Sequence, residues 1–343
     1  MGSPGAMYAP SMKRKSARKM GELSLIEHIR QEFAGRHGLG VRLGIGDDCA
    51  ILRPNANNEV LVTTDFSLED RHFRRDWHSP ESVGHRCLAR GLSDLAAMGA
   101  TPMAAFLSLA LPRGITRSWT DRFFAGLRTL ADRYKVPLAG GDTAQTPGEL
   151  ILTDIVLVGT APAGRALLRS GAQVGDLLYV TGALGGGLAE LEEMRAGKTR
   201  RARTGRWLDH PHMFPEPRLA VGQRLLAKGL ATACMDLSDG LSTDLAHLCE
   251  ASGVGAEVED AALPLHPLAA KLGTERALPM ALHGGDDYEL LFTASAEKRV
   301  SRQIAGVAIT PIGRITKQKA VVRVQADGTR VALPRGGWEH FKN

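Results

Sequence analysis

Short apolar runs alternate with segments of helical periodicity along most of this chain, and this alternation restricts its fold more than any other feature. Apolar residues recur at helical intervals over 21–33, and the β-rich run 60–62 predicts a strand that ends at 63–65. Pro80 can open the next helix. The other predicted elements of the first half are strands at 103–111, 136–139 and 150–158 and a helix at 118–133. This order predicts a mixed α/β protein.

The length of 343 residues corresponds to roughly two domains of ~150 residues each. Strand patterning stops within 162–175, which contains three glycines and a proline, and restarts at 177–181. We therefore place the boundary near residue 165, between an N-terminal domain at 21–164 and a C-terminal domain at 165–343. The second half has predicted helices at 217–228 and 240–252, a glycine-rich turn at 182–187 and short strands within 311–331.

The basic charge of the chain is concentrated at its N-terminus. The formal net charge is +6, but residues 1–20 contain five Lys or Arg and no acid, so the remainder carries 38 basic and 37 acidic residues. We interpret 1–20 as a disordered basic extension or a tag and expect no nucleic-acid partner.

Neither a membrane segment nor a disulfide framework is indicated by the sequence. The longest apolar run, 103–111, has about half of the ~20 residues that cross a bilayer, and no apolar signal-peptide segment follows the basic N-terminus. The four cysteines are far apart and form no C-x-x-C pair. We therefore expect a cytoplasmic protein without a membrane partner.

Six short segments each carry one or two aspartates after an apolar or glycine-rich stretch. They are GIGDD (44–48), TTD (63–65), LSD (92–94), GGD (140–142), DLSD (236–239) and GGDD (284–287). Aspartates at turns can bring hard oxygens to one place, and a neighbouring glycine lets the backbone approach a phosphate without a Cβ clash. Each segment alone is more often a turn or a helix cap, and capping alone would explain Ser238 and Asp239 before the helix at 240–252.

If the six segments converge, their carboxylates repel one another and the site requires cations. Mg²⁺ fits best because it binds carboxylate oxygens together with substrate phosphates. The common nucleotide motifs do not occur: GKT at 197–199 has Glu192 where a P-loop has glycine, GIGDDC lacks the third glycine of a dinucleotide fingerprint, and H-R-D and D-F-G are missing. A nucleotide would therefore be held in another way.

Eight motifs, in this order, resemble the thiamine-monophosphate kinase family. They are GELSLIEHI, GIGDDCA, TTD followed by His72, GLSDLAAMGA, AGGDT, GRALLRSGA, DLSDGLSTDL and GGDDYELLFT, and the resemblance continues to GGWEHF. It implies Mg²⁺-dependent transfer of the γ-phosphoryl group of ATP to thiamine monophosphate by a homodimer. It also implies a two-domain, synthetase-like α/β fold. The N-terminal domain would bind ATP and Mg²⁺ and contribute its strands to a dimer β-barrel, and the C-terminal domain would close over nucleotide and substrate.

The resemblance also assigns site residues. Its magnesium ligands are Asp48, Thr63, Thr64, Asp65, Asp94, Asp142, Asp236 and Asp239. Its ATP contacts are Gly141, Asp142, Arg169 and Ser238, and its contacts to thiamine monophosphate are His72, Asp286 and Trp338. Asp286 stands where the family often has glutamate, Asp47 has no assigned role, and a monovalent cation is a further candidate cofactor.

The acceptor implied by the resemblance is a phosphate monoester. Its second pKa of ~6 leaves it mostly dianionic at neutral pH, so it is already a nucleophile and we expect no catalytic general base. The six segments contain few basic residues, so we expect Mg²⁺ to neutralise the phosphates, with Arg169 as the exception. His72 has the alternative of a surface histidine, and Trp338 could either anchor the C-terminus or stack on the cationic thiazolium ring.

Two other functions stay open at this point. One is an ATP-dependent enzyme of the same fold that acts on a purine precursor or on selenide, although the position of Cys49 inside GIGDDCA argues against selenide. The other is a non-enzymatic sensor that binds magnesium and nucleotide through the same carboxylates.

Overall fold

The structure is a computed structural model that describes residues 22–33, 40–43, 51–198 and 209–339. Its helices are α1 (Glu22–Glu32), α2 (Pro80–Ala97), α3 (Arg117–Tyr134), α4 (Gly186–Arg195), α5 (Leu219–Ala227), α6 (Leu241–Ser252), α7 (Pro267–Ala270) and α8 (Thr274–His283), with a 3-10 helix at Asp260–Ala262. Its strands are β1 (Val41–Leu43), β2 (Ile51–Leu52), β3 (Asn58–Leu68), β4 (Thr101–Leu111), β5 (Leu138–Gln145), β6 (Leu152–Pro162), β7 (Leu177–Thr181), β8 (Ala233–Asp236), β9 (Gly255–Glu259), β10 (Leu290–Ala294), β11 (Gln303–Ile304), β12 (Val307–Thr316), β13 (Val321–Val324) and β14 (Arg330–Ala332). The extension 1–20 and the GIGDD segment, with Asp47 and Asp48, lie outside the described residues.

A four-stranded sheet in the order β3-β6-β4-β5 organises the first half. Strand β6 is antiparallel to both β3 and β4, and β4 runs parallel to β5. Strand β3 pairs with β6 from Asn58, opposite Pro162, to Leu68, opposite Leu152. One face of the sheet packs against α2. The outer face exposes Val60, Val62 and Phe66.

A larger sheet organises the second half, in the order β14-β13-β9-β12-β7-β10-β8 with β11 paired to β12. Its pairs are antiparallel except for β13 with β9. Strands β7 and β10, and the edge strand β8 beside them, are almost completely buried. Neither sheet closes into a barrel within the described ranges, and the boundary near residue 165 stays a prediction.

Helix α2 packs against elements of both halves. Ser79 caps its N-terminus by accepting a hydrogen bond from the Ser82 amide at 3.2 Å, and Pro80 occupies the first turn. The helix packs against the four-stranded sheet, α3 and α5, so most of its residues are buried. One hydrophobic cluster runs from Phe123 on α3 to Phe292 on β10. No helix in the described ranges is long and apolar enough to span a membrane.

The predicted helices at 21–33, 118–133, 217–228 and 240–252 are confirmed, with ends that shift by a few residues. The prediction that the aspartate segments all lie at turns is wrong for three of them. TTD lies inside β3, LSD lies in the last turns of α2, and GGD lies inside β5. Side chains alternate between the two faces of a strand, so a strand can extend through polar residues when these occupy one face and the other face stays apolar.

Candidate active site

A cavity of about 660 Å³ opens where α2 and β3 meet loops of the second half. Its walls include the loops after β3, β8 and α8 and the segment 336–338. The predicted site residues that line it are Asp65, His72, Asp94, Asp236, Ser238, Asp239, Asp286 and Trp338. Four of the six aspartate segments therefore meet at one place, although they are spread over more than two hundred positions of the chain.

Three aspartates from different elements form the acidic side of the cavity. Asp65 lies on the inner face of β3, Asp94 in the last turn of α2, and Asp236 at the end of β8. The Thr63 hydroxyl, on the same strand face as Asp65, donates a hydrogen bond to Asp94. The Ser93 hydroxyl donates to Asp236 Oδ2 at 2.7 Å. These hydroxyls connect β3, α2 and β8 directly.

The acidic side lacks a sufficient counter-charge among the residues that the structure describes. Burial, together with the charges of Asp94 and Asp236, raises the pKa of Asp65 to about 7, although Arg90 opposes the shift. Burial and the charge of Asp94 raise the pKa of Asp236 to about 7 as well. Asp65 Oδ2 is buried and has no hydrogen-bond partner among the described residues. An added cation would both satisfy this oxygen and reduce the repulsion.

The donor set of the acidic side fits Mg²⁺ in its chemistry, because it consists of hard oxygens and includes the buried Asp65 Oδ2. Within the described ranges, however, no three His, Cys, Asp or Glu side chains are already arranged around a point as a metal site.

Asp286 also lines the cavity and belongs to an ionic network, which we call the ionic wall. It accepts hydrogen bonds from Arg86 at 2.9 Å and from the Tyr288 hydroxyl at 2.7 Å, and His212 Nδ1 lies 3.4 Å away. Burial alone would raise the pKa of Asp286, but Arg86 and Arg90 outweigh it and hold this pKa well below its usual range. Asp286 and Tyr288 have φ values of 65° and 50°, in the left-handed region that non-glycine residues seldom adopt. Such strained positions concentrate at functional sites.

The DLSD loop is held from two sides. Asp244 on α6 accepts hydrogen bonds from the amides of Asp239 and Gly240 at 3.1 and 3.0 Å. The Trp338 amide donates to the Asp239 carbonyl oxygen at 3.0 Å, which fastens the C-terminal segment to this loop. The interpretation of Ser238 and Asp239 as helix caps is wrong, because Gly240 is the N-cap of α6 and has no side chain with which to cap it.

Other predicted residues lie outside the cavity. Thr64 points to the outer face of the four-stranded sheet and donates a hydrogen bond to Asp154 at 2.6 Å. Asp142 lies opposite Ser108, which in turn lies opposite Asp154, so Asp142 shares that outer face. Arg169 is exposed. Its charge opposes the upward shift in the pKa of Asp236 and is outweighed by burial and Asp94.

Gly141 has a clear structural reason to be glycine. Its φ is +151°, and a Cβ there would lie 2.0 Å from the Leu107 carbonyl oxygen on β4. Any larger residue would separate β5 from β4 and displace Asp142 next to it.

The cavity also has basic residues that lie outside the six aspartate segments. Arg71, Arg74, Arg90 and Arg195 line the cavity, together with Trp77, His78, His212 and Tyr288. A signal for one of them was present in the sequence: Arg86, Arg90 and Asp94 follow each other at four-residue intervals and therefore share one face of α2. The other residues belong to loops that have no recognisable spacing.

Models of two domains of one family match this chain. The model of the AIR synthase related protein N-terminal domain matches residues 46–161, and that of the C-terminal domain matches residues 173–325. A thiamine-monophosphate kinase of Escherichia coli (strain K12) is 39% identical over 329 residues, which cover 94% of this chain and 98% of that protein. The chain belongs to the thiamine-monophosphate kinase family. The family membership predicted from the motifs is thus confirmed.

Solved structures of this family share the fold over most of its length. The thiamine-monophosphate kinase from Stenotrophomonas maltophilia K279a has a TM-score of 0.79 and 36% identity, covering 91% of this chain and 98% of that chain. A structure described as AaThiL complexed with AMPPCP and TMP has a TM-score of 0.73 and 33% identity, covering 97% of this chain and all of that chain. The mixed α/β, two-domain fold is confirmed.

Proposed function

We propose that this protein transfers the γ-phosphoryl group of ATP to thiamine monophosphate and releases thiamine diphosphate and ADP. The observation that carries the proposal is the meeting of the acidic residues with His72, Asp286 and Trp338 in one cavity. Full-length relatives are thiamine-monophosphate kinases, and AaThiL binds TMP together with AMPPCP, an analogue of ATP.

The reaction joins two polyanions, so charge neutralisation and alignment are its main requirements. The acceptor phosphate is a dianion at neutral pH and attacks without a general base. Mg²⁺ held at the site would supply positive charge that neutralises phosphate oxygens. The residues that would hold it in the cavity are Asp65, Asp94, Asp236 and Asp239, with the Thr63 hydroxyl beside them. The resemblance adds Asp48, Thr64 and Asp142.

On the nucleotide side, we propose contacts from Gly141, Asp142, Arg169 and Ser238. Observations in the structure support two members of this set, and the resemblance alone supplies Gly141 and Asp142. Ser238 lines the cavity beside Asp239, and the charge of Arg169 acts on Asp236. ATP would therefore approach the acidic side from the DLSD loop.

On the acceptor side, we propose that His72 and Trp338 bind the vitamin rings. Trp338 is 48% exposed and lines the cavity, so a ligand in the cavity can reach it. Stacking of a cationic thiazolium ring on tryptophan contributes ~0.5–2 kcal/mol. Asp286 would contact the same substrate from the ionic wall.

We also propose a homodimer that pairs through the outer face of the four-stranded sheet and completes a β-barrel there. Val60, Val62 and Phe66 on this face are 49%, 65% and 61% exposed. Adjacent apolar side chains of this size on a sheet usually mark an interface. A cytoplasmic location fits the cysteines of the described ranges, Cys87, Cys234 and Cys249, which are buried and free.

The direct test is turnover by the purified protein with Mg²⁺, ATP and thiamine monophosphate, followed by chromatography of the products. Formation of thiamine diphosphate, and its loss in Asp94→Ala with ATP binding measured in parallel, would support the proposal. Turnover of formylglycinamidine ribonucleotide instead would favour the purine-precursor enzyme. Binding of ATP without turnover of either acceptor would favour the sensor.

A further inference from the structure

Arg90 lines the cavity and interacts both with the acidic side and with the ionic network of Asp286. It lies on α2 one turn after Arg86 and one turn before Asp94, so the three side chains share one helix face. The charges of Asp65 on one side and Asp286 on the other both act on its guanidinium. Arg90 is therefore a cation that lies between a proposed metal ligand and a proposed acceptor contact.

The neighbouring Arg86 is fully engaged with protein groups. It donates hydrogen bonds to Asp286 Oδ2 at 2.9 Å, to the His72 carbonyl oxygen at 3.3 Å and to the His212 carbonyl oxygen. Its side chain is only 3% exposed. Arg86 thus acts as the partner that holds Asp286 and has little capacity for a ligand.

Arg90, in contrast, has an N–H group for which no described residue provides a hydrogen-bond acceptor. Its ion-pair contact with Asp65 is loose, with Nη2 3.5 Å from Asp65 Oδ1. Its Nε is buried and has no hydrogen-bond partner within the described part of the chain. A guanidinium carries five N–H donors and stays protonated, so leaving any of them unpaired in a buried position is unfavourable. The side chain lines the cavity and is 17% exposed, so an anionic oxygen in the cavity can reach the guanidinium group, although Nε itself is covered.

We propose that Arg90 binds the phosphate group of the acceptor, a proposal that rests on the function proposed above. A guanidinium matches two phosphate oxygens through parallel hydrogen bonds, which makes it well suited to hold a phosphate monoester in one orientation. The acceptor phosphate must lie between the pocket of its own organic part and the donor phosphoryl group at the acidic side. Arg90 lies between those two regions, whereas the charge of Arg169 acts on Asp236.

This assignment makes Arg90 a determinant of specificity. Unphosphorylated thiamine has the same rings but no anion, so it would leave the buried guanidinium without its partner. A site built to bind a charged group discriminates strongly against a ligand that lacks it. The enzyme would therefore select the monophosphate over the free vitamin mainly through this contact.

The test compares Arg90→Gln and Arg90→Lys with wild type, and uses Arg117→Gln on α3 as the matched control. Arg117 is exposed and pairs with the surface residue Asp121. The measurements are the KM values for thiamine monophosphate and ATP and the inhibition constant of thiamine. We expect Arg90→Gln to raise the KM for thiamine monophosphate about 10- to 100-fold, with the other two constants within about twofold of wild type. Arg117→Gln should match wild type in all three.

A merely structural role of Arg90 would affect thiamine and thiamine monophosphate equally, and this result would overturn the proposal. An equal rise in the KM for ATP would also overturn it, because the phosphate bound by Arg90 would then belong to the nucleotide. If circular dichroism shows that Arg90→Gln does not fold, the proposal is tested with Arg90→Lys instead. We expect this variant to raise the KM for thiamine monophosphate about 3- to 10-fold and to leave the other two constants unchanged. Failure of wild type to convert thiamine monophosphate would instead contradict the proposed function, so the two failures are distinguishable.

Discussion

Replacing Asp65 with asparagine should stabilise the magnesium-free protein while it abolishes phosphoryl transfer. Burial and the charges of Asp94 and Asp236 raise the pKa of Asp65 from 3.8 to about 7. Since one pKa unit corresponds to about 1.4 kcal/mol, the ionised carboxylate destabilises the folded state by at most ~4 kcal/mol at alkaline pH. Asparagine keeps the shape and removes the charge. Because the surroundings relax in either protein, we expect a gain of about 1–2 kcal/mol in the free energy of unfolding.

The sign of the effect can be checked through its pH dependence. The folded pKa of Asp65 lies above the unfolded value, so wild type loses stability as the pH rises from about 4 to about 7. The Asp65→Asn variant lacks this contribution. The difference between the two proteins in urea unfolding with a chelator should therefore be largest near pH 8 and should narrow as the pH falls.

The matched control is Asp121→Asn, which removes a carboxylate on α3 that is 43% exposed and should give no such gain. Adding Mg²⁺ should raise the Tm of wild type more than that of Asp65→Asn, because the variant has lost a ligand. A metal-free Asp65→Asn protein that is less stable than wild type at pH 8 would refute the reasoning that these carboxylates repel one another in a buried site.

Three further changes test other parts of the structure. Asp286→Ala should lower the free energy of unfolding in urea by ~3 kcal/mol and raise the KM for thiamine monophosphate, because it leaves Arg86 buried without its carboxylate; an unchanged stability would contradict this. Gly337→Ala should lower kcat/KM about tenfold or more in steady-state assays, since the new Cβ would lie 2.1 Å from the Asp239 carbonyl oxygen; wild-type kinetics would exclude a role for this contact. Val62→Glu should convert a dimer into a monomer in light scattering with an unchanged circular dichroism spectrum, and a persisting dimer would place the interface elsewhere.

Helix α2 illustrates how far the sequence could predict this fold. Its apolar residues, such as Val83 and Leu92, recur at helical intervals and predict the helix and the face that packs on the sheet. Arg86, Arg90 and Asp94 lie on another face, which in sequence has the pattern of a solvated surface. They are enclosed only because the second half of the chain covers them. Local periodicity contains no information about this long-range contact.

The sequence could predict which residues belong to the candidate site better than it could predict how they are arranged. The sequence motifs alone identify Asp65, Asp94, Asp236 and Asp286, and all four line the cavity. The motifs did not show that Asp65 would lie inside a strand, because an aspartate with neighbouring threonines is equally compatible with a turn. Nor did they show that Asp286 would be paired with Arg86, since the two residues lie two hundred positions apart.

The way in which α2 meets α5 has a consequence for how the chain becomes folded. A Cβ at Gly222 would lie 1.8 Å from the Ala96 carbonyl oxygen, so the two helices touch backbone to backbone. A fragment that stops near residue 165 lacks α5, so it would leave the α2 surface at Ala96 open to water. We therefore expect this fragment and the complementary C-terminal piece to aggregate when each is expressed alone, and calorimetry of the intact chain to record a single cooperative transition.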